Sequence, residues 1–261
     1  MNGDSAVVTE AHRLASVAAA SAGVSVRMAE PRDLAGIIGL FERTWGVRRS
    51  PDRSMLLALD YAGNTVLLAT RKGKPVGANL GFLGWTDGLH LHSHMVAMVP
   101  WHRSNGVGYA LKLLQRALCL ERGVNEVRWT FDPLIRRKAH FNLLKLGAEV
   151  IGFLPDFYGP LDEVITGDDR SDRFEVRWAL DSRRVLRALG GAPVSEWTVQ
   201  SRWPLDVDFE QLRADDPAAA ARRRTESRKV FTAAHQRGWR PELSAEKDYV
   251  FTADAIERSA Y

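Results

Sequence analysis

Arg103-Ser104-Asn105-Gly106-Val107-Gly108 is the stretch on which the reading of this chain turns. It follows a strand-like run, Leu89 to Val99, that Pro100 breaks. It precedes a helix from about Val107 to Glu121, with Leu111, Leu114 and Leu118 on one face and Gly123 at its end. Glycine at 106 and 108 lets the backbone take positive φ and come close to a ligand. The following helix offers its unpaired first-turn N–H groups and the positive end of its dipole. Successive N–H groups in such a turn form an anion-binding nest, and Arg103 adds a formal charge. The segment reads as a phosphate cradle. Alone, R-x-x-G-x-G describes a plain tight turn equally well, so the surroundings must decide.

Working outward, Val24 to Ala29 reads as a strand. Pro31 opens a helix whose apolar set is Leu34, Ile37, Ile38, Phe41 and Trp45. Arg53 to Tyr61 is helical and stops at Gly63. Thr65 to Thr70 and Pro75 to Phe82 form a hairpin about Lys72-Gly73-Lys74. Beyond the cradle helix, Glu126 to Phe131 is a strand, Arg136 to Leu146 a helix ended by Gly147, and Glu149 to Leu154 and Phe174 to Leu180 are strands. Asp216 caps a further helix, with Pro217 at its first position and Gly238 past its end. Residues 248 to 252 form a short closing strand. The expected fold class is α/β, a mixed and largely antiparallel central sheet flanked by helices, with a C-terminal helical extension.

The 261 residues are 45% hydrophobic and 26% charged, an ordinary globular composition with enough apolar material for a sizeable core. The net charge of +4 suits an anionic ligand without demanding one. The lone Cys119 excludes an intrachain disulfide framework and a cysteine-rich zinc site, fits a reducing compartment, and reads as a buried thiol. No run approaches the ~18 apolar residues of a spanning helix. Asp4 and Glu10 stand where a signal peptide is basic. The expected location is the cytoplasm, with no membrane partner. Residues 1–23 read as a frayed or loosely docked extension, 24–181 as the main domain, 182–204 as a linker, and 205–261 as a helix-containing extension packed on the domain.

About thirty residues after the cradle a second helix reads Ala139-His140-Phe141-Asn142-Leu143-Leu144-Lys145-Leu146-Gly147-Ala148. With Ala97-Met98-Val99-Pro100 before the cradle, this resembles the GNAT superfamily of coenzyme A-dependent N-acyltransferases over roughly residues 24 to 181. Ser93-His94-Met95, Trp129-Thr130-Phe131-Asp132-Pro133-Leu134, Phe141-Asn142, Tyr158-Gly159 and Ser171-Asp172-Arg173-Phe174 resemble a poorly characterised branch of it. So does the C-terminal helix with Asp216-Pro217 and Arg228. The resemblance implies that strands 89–99 and 126–131 splay apart after a bulge and take the pantetheine arm between them. It implies that Met98 or Val99 offers a backbone N–H to the thioester carbonyl. Arg103, Ser104, Asn105, Gly106, Val107 and Gly108 would then hold the pyrophosphate, and Asn142 a water or the cofactor amide. The co-substrate is acetyl-CoA or another short acyl-CoA, and no metal is expected.

An amine must lose a proton before it attacks a thioester, and alkyl amines are mostly protonated at neutral pH. His90, His92 and His94 recur at period two, so all three face one side of a strand. His92 falls where the histone-modifying branch of the superfamily places a glutamate base, with His94 as the second candidate. An unperturbed imidazole titrates near neutrality, as a base should. The alternatives are plain packing on a strand face, or a three-histidine metal site. Where many members carry a tyrosine that protonates the leaving thiolate, this chain has Leu143. A thiol of pKa roughly 8.5 leaves without strong acid help, and Tyr158 is the substitute candidate. Asn142 and Tyr158 also read as structural residues.

Trp129 and Phe131 read as core or cofactor-wall residues. Arg222-Arg223-Arg224, Arg228 and Lys229 read as the solvated face of a helix whose stripe is Val230, Phe231 and Ala234. Nucleic acid is therefore not the expected partner. The expected function is transfer of an acetyl or other short acyl group to a free amino acid or small amine, in a ternary complex, by a monomer or homodimer. The alternatives are a succinyl-CoA-dependent amino-acid N-succinyltransferase and a non-catalytic acyl-CoA-binding or regulatory module.

Overall fold

Thr65–Arg71 (β2) and Lys74–Gly84 (β3) pair as the expected hairpin, and Lys72 and Gly73 both take positive φ at its turn, 49° and 73°. In this computed structural model, which describes residues 2–47, 49–100, 105–159, 169–192 and 196–255, the chain divides into two compact units. One runs up to Val127 and the other from Arg128.

The first unit holds the antiparallel strands β1 (Ser25–Met28), β2, β3 and β4 (His90–Met98), adjacent in that order. Helix α2 (Leu34–Trp45) buries Leu34, Ile37, Leu40 and Phe41, the i, i+3, i+6, i+7 face its sequence lays out. Helix α3 (Arg53–Tyr61) is capped by Asp52, which accepts from the Met55 N–H at 2.8 Å. Helix α4 spans Val107–Glu121, the bounds the sequence suggests. Val66 to Ala69 of β2 are all buried, because the strand is covered on both faces.

Residues 2–21, expected to be frayed or loosely docked, form helix α1 (Asn2–Ser21), which packs on α4. Ala11, Ala15, Ala18 and Ala22 are the buried stripe. Alanine has too little apolar weight to stand out in a hydrophobic pattern. Yet a stripe of small residues lets two helices approach closely. Arg71 closes the end of this segment, donating from Nη2 to the Ala22 carbonyl at 2.6 Å and from Nε to Gly23 at 3.1 Å.

The second unit takes in β5 (Glu126–Phe131) from Arg128 on, with β6 (Glu149–Leu154) and β7 (Arg173–Ala179); β7 lies between the other two and is antiparallel to β6. Where one helix is expected over 136–146, α5 (Arg136–Ala139) widens into a π-helical segment, His140–Lys145. The Leu146 N–H reaches five residues back to Phe141, at 3.0 Å. The expected linker over 182–204 is also structured. Ser182 caps α6 (Arg183–Leu189), accepting from the Val185 N–H, and Ser201–Trp203 forms β8. Seven and three residues are too short for periodicity to register.

Strand β8 joins β9 (Arg240–Leu243) and β10 (Tyr249–Thr252) in a three-stranded antiparallel sheet, order β8-β10-β9. Between them lie α7 (Phe209–Asp215) and α8 (Pro217–Gln236), the latter capped by Asp216 as expected. Phe231 of α8 sits at the centre of an aromatic core. Its ring centroid is 4.9 Å from Phe174, 5.6 Å from Phe153 and Tyr249, 6.0 Å from Phe251 and 6.1 Å from Trp203.

The arginines of α8 depart from the expected solvated face. Arg222 and Lys229 are exposed, but Arg224 is 1% exposed. It holds Asp132 through two bonds of 2.8 and 2.7 Å and Asp169 at 2.8 Å. Arg223 lies 4.2 Å over the Trp203 ring and bonds Asp206. Charge spacing on a helix does not reveal that a carboxylate from another element waits beneath it. Burial alone would raise the Asp132 carboxyl, but the Arg224 charge and hydrogen bonds outweigh it and hold the group at about 2. This stabilisation is present above the unfolded carboxylate value of 3.8 and is lost as pH falls through about 2. Arg224→Met takes the bidentate cation from buried Asp132 and leaves Asp169 with Arg213 alone, at 3.3 Å. It should lower stability at neutral pH by about 3–5 kcal/mol, read as a drop in the urea midpoint, with a smaller difference at pH 2.

Candidate functional site

Strand β4 does not alternate throughout. Gly81 faces Ser93 and Leu80 faces Met95, so His94 is an extra residue, a β-bulge. Before the bulge, Ser93 points toward α4. After it, Asn79 pairs with Val96 and Gly77 with Met98, and Gly77 lies under Val107 and Leu111 of α4. The bulge thus changes which residues face the helix, from odd numbers to even.

His92 and His94 do share a face, as the spacing predicts. Their ring centroids are 5.8 Å apart, and both flank Phe82, at 5.3 and 5.6 Å. His90 packs over Gly84 on the neighbouring strand, and its Nδ1 donates to the Gly88 carbonyl at 2.9 Å. Among the described residues, no group of three or more His, Cys, Asp or Glu is placed to hold a metal ion. Desolvation lowers the His92 imidazole to about 4, helped by His94, His90 and Lys112. His94 is lowered by desolvation beside its neighbours, although its outer edge is exposed. The expectation of an imidazole titrating near neutrality is therefore corrected for His92, which is a neutral ring at pH 7.

Gly106 is the N-cap of α4, with φ 83°, and as a glycine it brings no capping side chain of its own. Val107 is buried, Asn105 is exposed, and Arg103 and Ser104 lie outside the described residues. A Cβ at Gly108 would stand 3.0 Å from the Met98 Sδ, so glycine lets the Met98 side chain lie across the first turn. The Val99 N–H donates to Val76 at 3.0 Å and is committed to the ladder with β3. Val99 is thereby corrected as a free donor. Successive N–H groups along a strand point to opposite edges, so the Met98 N–H points away from β3.

A polar network that the sequence reading missed lies between α4 and the sheet. Lys112 Nζ donates to Ser93 Oγ at 2.7 Å and to Gln115 Oε1 at 3.4 Å. Gln115 Nε2 donates to Asn79 Oδ1 at 2.7 Å and Thr65 Oγ1 at 3.0 Å. All five residues are buried. The one sequence signal was Ser93, one residue before the bulge. Cys119 is buried as expected, and burial pushes its thiol up to about 12.

In the second unit, the Tyr158 hydroxyl is 3.3 Å from Thr130 Oγ1 on β5, and Tyr158 is 44% exposed. Asn142 is buried in the π-helical segment, where its Oδ1 accepts from Trp129 Nε1 at 3.3 Å. Leu143 is buried.

No family model matches the chain, and no curated protein matches it. Solved structures do. A putative acetyltransferase from Salmonella typhimurium, solved with its cofactor acetyl-CoA, superposes with a TM-score of 0.50 at 18% identity, covering 62% of this chain and 96% of that one. An acetyltransferase of the GNAT family from Streptococcus pneumoniae gives 0.48 at 15%, over 59% and 97%. A GNAT-like decarboxylase in complex with isobutyryl-CoA gives 0.45 at 19%, over 60% and 99%. The chain has the GNAT fold.

Within the GNAT fold of this chain, the start of α4 suits a diphosphate. The cap residue is a left-handed glycine with no side chain to compete for the first turn, and at Gly108 the nearest described atoms are the mobile end of Met98. Gly108→Asp displaces only that thioether and keeps the fold, but its carboxylate takes the dipole that a phosphate needs. Acyl-CoA affinity should fall about tenfold or more by calorimetry. Unchanged affinity in the folded variant contradicts the assignment.

Burial lowers the Lys112 ammonium from 10.5 to about 7. Between those values the unfolded chain binds more protons than the folded one, so stability from this group rises with pH from about 7 to 10.5 and is lowest below 7. Lys112→Met should remove that rise in a series of denaturant midpoints against pH.

Proposed function

We propose that this chain is an acyltransferase that moves an acetyl or other short acyl group from acyl-CoA to the amine of a free amino acid or small amine. The observation that carries the reading is a helix started by a left-handed glycine, next in the chain after a bulged strand, in a GNAT fold. The anionic diphosphate of acyl-CoA supplies the charge that this helix terminus favours. The Met98 N–H, turned away from β3, polarises the thioester carbonyl, a contribution of ~3 kcal/mol to the barrier.

The amine arrives protonated. His92, neutral above a pH of about 4, accepts that proton on its ring. The nitrogen then bonds to the acyl carbon, the carbon–sulfur bond breaks, and the thiolate, of pKa roughly 8.5, takes up the second proton that the nitrogen sheds. Burial beside Phe82 makes His92 a weak base in bulk terms. The ammonium must therefore be desolvated at the same place, so that its own acidity rises. His94 is the second candidate for the same step.

Release of free thiol from acetyl-CoA and from succinyl-CoA, each against a panel of amino acids and amines, tests the reading. Amine-dependent release with one donor supports it. His92→Ala should keep acyl-CoA affinity and lose ~100- to 10,000-fold in kcat. Because the His92 imidazole sits at about 4, kcat/KM should show no limb from it near 6.5, and the acid limb should track the pKa of the amine chosen. Tight acyl-CoA binding without release to any amine would favour a non-catalytic binding module, which the buried Leu143 also suits.

A further inference from the structure

Two buried side chains of α4 reach into the sheet on either side of the β4 bulge. Lys112 and Gln115 lie one turn apart and share a helix face. Lys112 Nζ donates to Ser93 Oγ at 2.7 Å, just before the bulge. Gln115 Nε2 donates to Asn79 Oδ1 at 2.7 Å, and Asn79 pairs with Val96, just after it. Asn79 Nδ2 makes a long contact to Ser93 Oγ at 3.5 Å, and Lys112 Nζ reaches Gln115 Oε1 at 3.4 Å. The four side chains form a closed ring, and the bulged residue His94 is bracketed by two bonds from one helix.

Gly81 makes room for that ring. It faces Ser93 across the ladder, at the register shift itself. A Cβ there would stand 2.7 Å from Gln115 Nε2 and 2.8 Å from Thr65 Oγ1. Glycine therefore leaves Gln115 space to cross to Thr65 on β2, its second acceptor at 3.0 Å. Stability alone does not account for a lysine at this place. Burying an amine among hydroxyl and amide groups costs more than burying an apolar chain of the same length. What Lys112 and Gln115 contribute is direction, because their bonds are satisfied together at one register of β4. A slip of one residue would bring His92 or His94 to the face that Ser93 now occupies.

We propose that Lys112 and Gln115 are positioning residues for acyl-CoA, clamping β4 on both sides of its bulge so that the Met98 N–H stays turned away from β3 and toward the thioester. The proposal rests on the reading of that N–H as the donor to the thioester carbonyl. The clamp, the bulge, Met98 and the start of α4 all lie in the first unit. Met98 follows the bulge on the same strand, so a change of phase at His94 carries through to it. Both side chains act through the strand, and one helix thereby sets the phosphate site at its end and the thioester donor beside it.

The test uses the full chain and acetyl-CoA labelled for NMR at the thioester carbonyl carbon, and it needs no acceptor. In the wild type the carbonyl resonance should move downfield on binding, as a hydrogen bond polarises it. In Lys112→Met it should stay near its free position. Acetyl-CoA affinity by calorimetry should change less than about threefold, because α4 itself holds the phosphates. Hydrogen exchange of the 93–98 amides should quicken roughly tenfold or more, while α4 keeps its protection. Ser93→Ala removes only the hydroxyl, should give the same changes, and serves if Lys112→Met does not fold. With Ser93→Ala in place, Lys112→Met should add little to the carbonyl effect, because both break one bond. A wild-type carbonyl shift in both folded variants overturns the clamp and leaves the acyl-CoA site intact. So does unchanged exchange at 93–98. Loss of acetyl-CoA binding in the folded variants puts their effect at the phosphates and also overturns the clamp. Acetyl-CoA bound to the wild type without a downfield shift removes the Met98 N–H as donor and overturns the clamp with it. Acetyl-CoA that does not bind the wild type overturns the acyltransferase reading itself, and the clamp falls with it.

Discussion

One extra residue in β4 sets the geometry on which the candidate site depends. Strict alternation would carry the set that includes Ser93 on to Met95 and Ala97, and these would face α4. The bulge at His94 turns them away and brings Val96 and Met98 round to face the helix. Met98 can then lie across Gly108, and its N–H points away from β3 while Val99 stays in the ladder. The same bulge leaves His94 beside His92 and Phe82. Ser93, the last residue before the shift, is tied to Lys112 of α4. The strand's change of phase is therefore fastened to the helix whose N-terminus is the candidate phosphate site.

The electrostatics of the two units follow one rule in different ways. In the second unit, charges taken from water meet partners. Arg224 and Arg228 each hold carboxylates, and Arg224 holds the Asp132 carboxyl down at about 2. In the first unit, Lys112 and His92 are taken from water among polar or aromatic neighbours, and both shift toward their neutral forms. A site built from neutral bases suits a reaction that begins by removing a proton from an ammonium.

The cradle helix and β5 were legible in sequence to the residue, because Gly106, Gly123 and Glu126 punctuate them and their apolar patterns are long. The histidine face was legible too, but the titration of His92 was not, since spacing says nothing of desolvation. The bulge left no mark that a period of two could register. Helix α1 escaped because alanine contributes closeness of packing with little hydrophobic signal. Arg224 and Arg228 were misread because their partners, Asp132, Asp169 and Asp172, come from distant parts of the chain. The identity of the Asn142 partner, Trp129, depended in the same way on tertiary placement.

The central claim is that acyl-CoA is held at the start of α4. Hydrogen exchange of the backbone amides with and without acetyl-CoA tests it without requiring an acceptor. The account expects strong ligand-dependent protection of residues 105–110, where the first-turn N–H groups meet the phosphates. Saturating acetyl-CoA that leaves those amides unchanged, or protects only a distant segment, would contradict it.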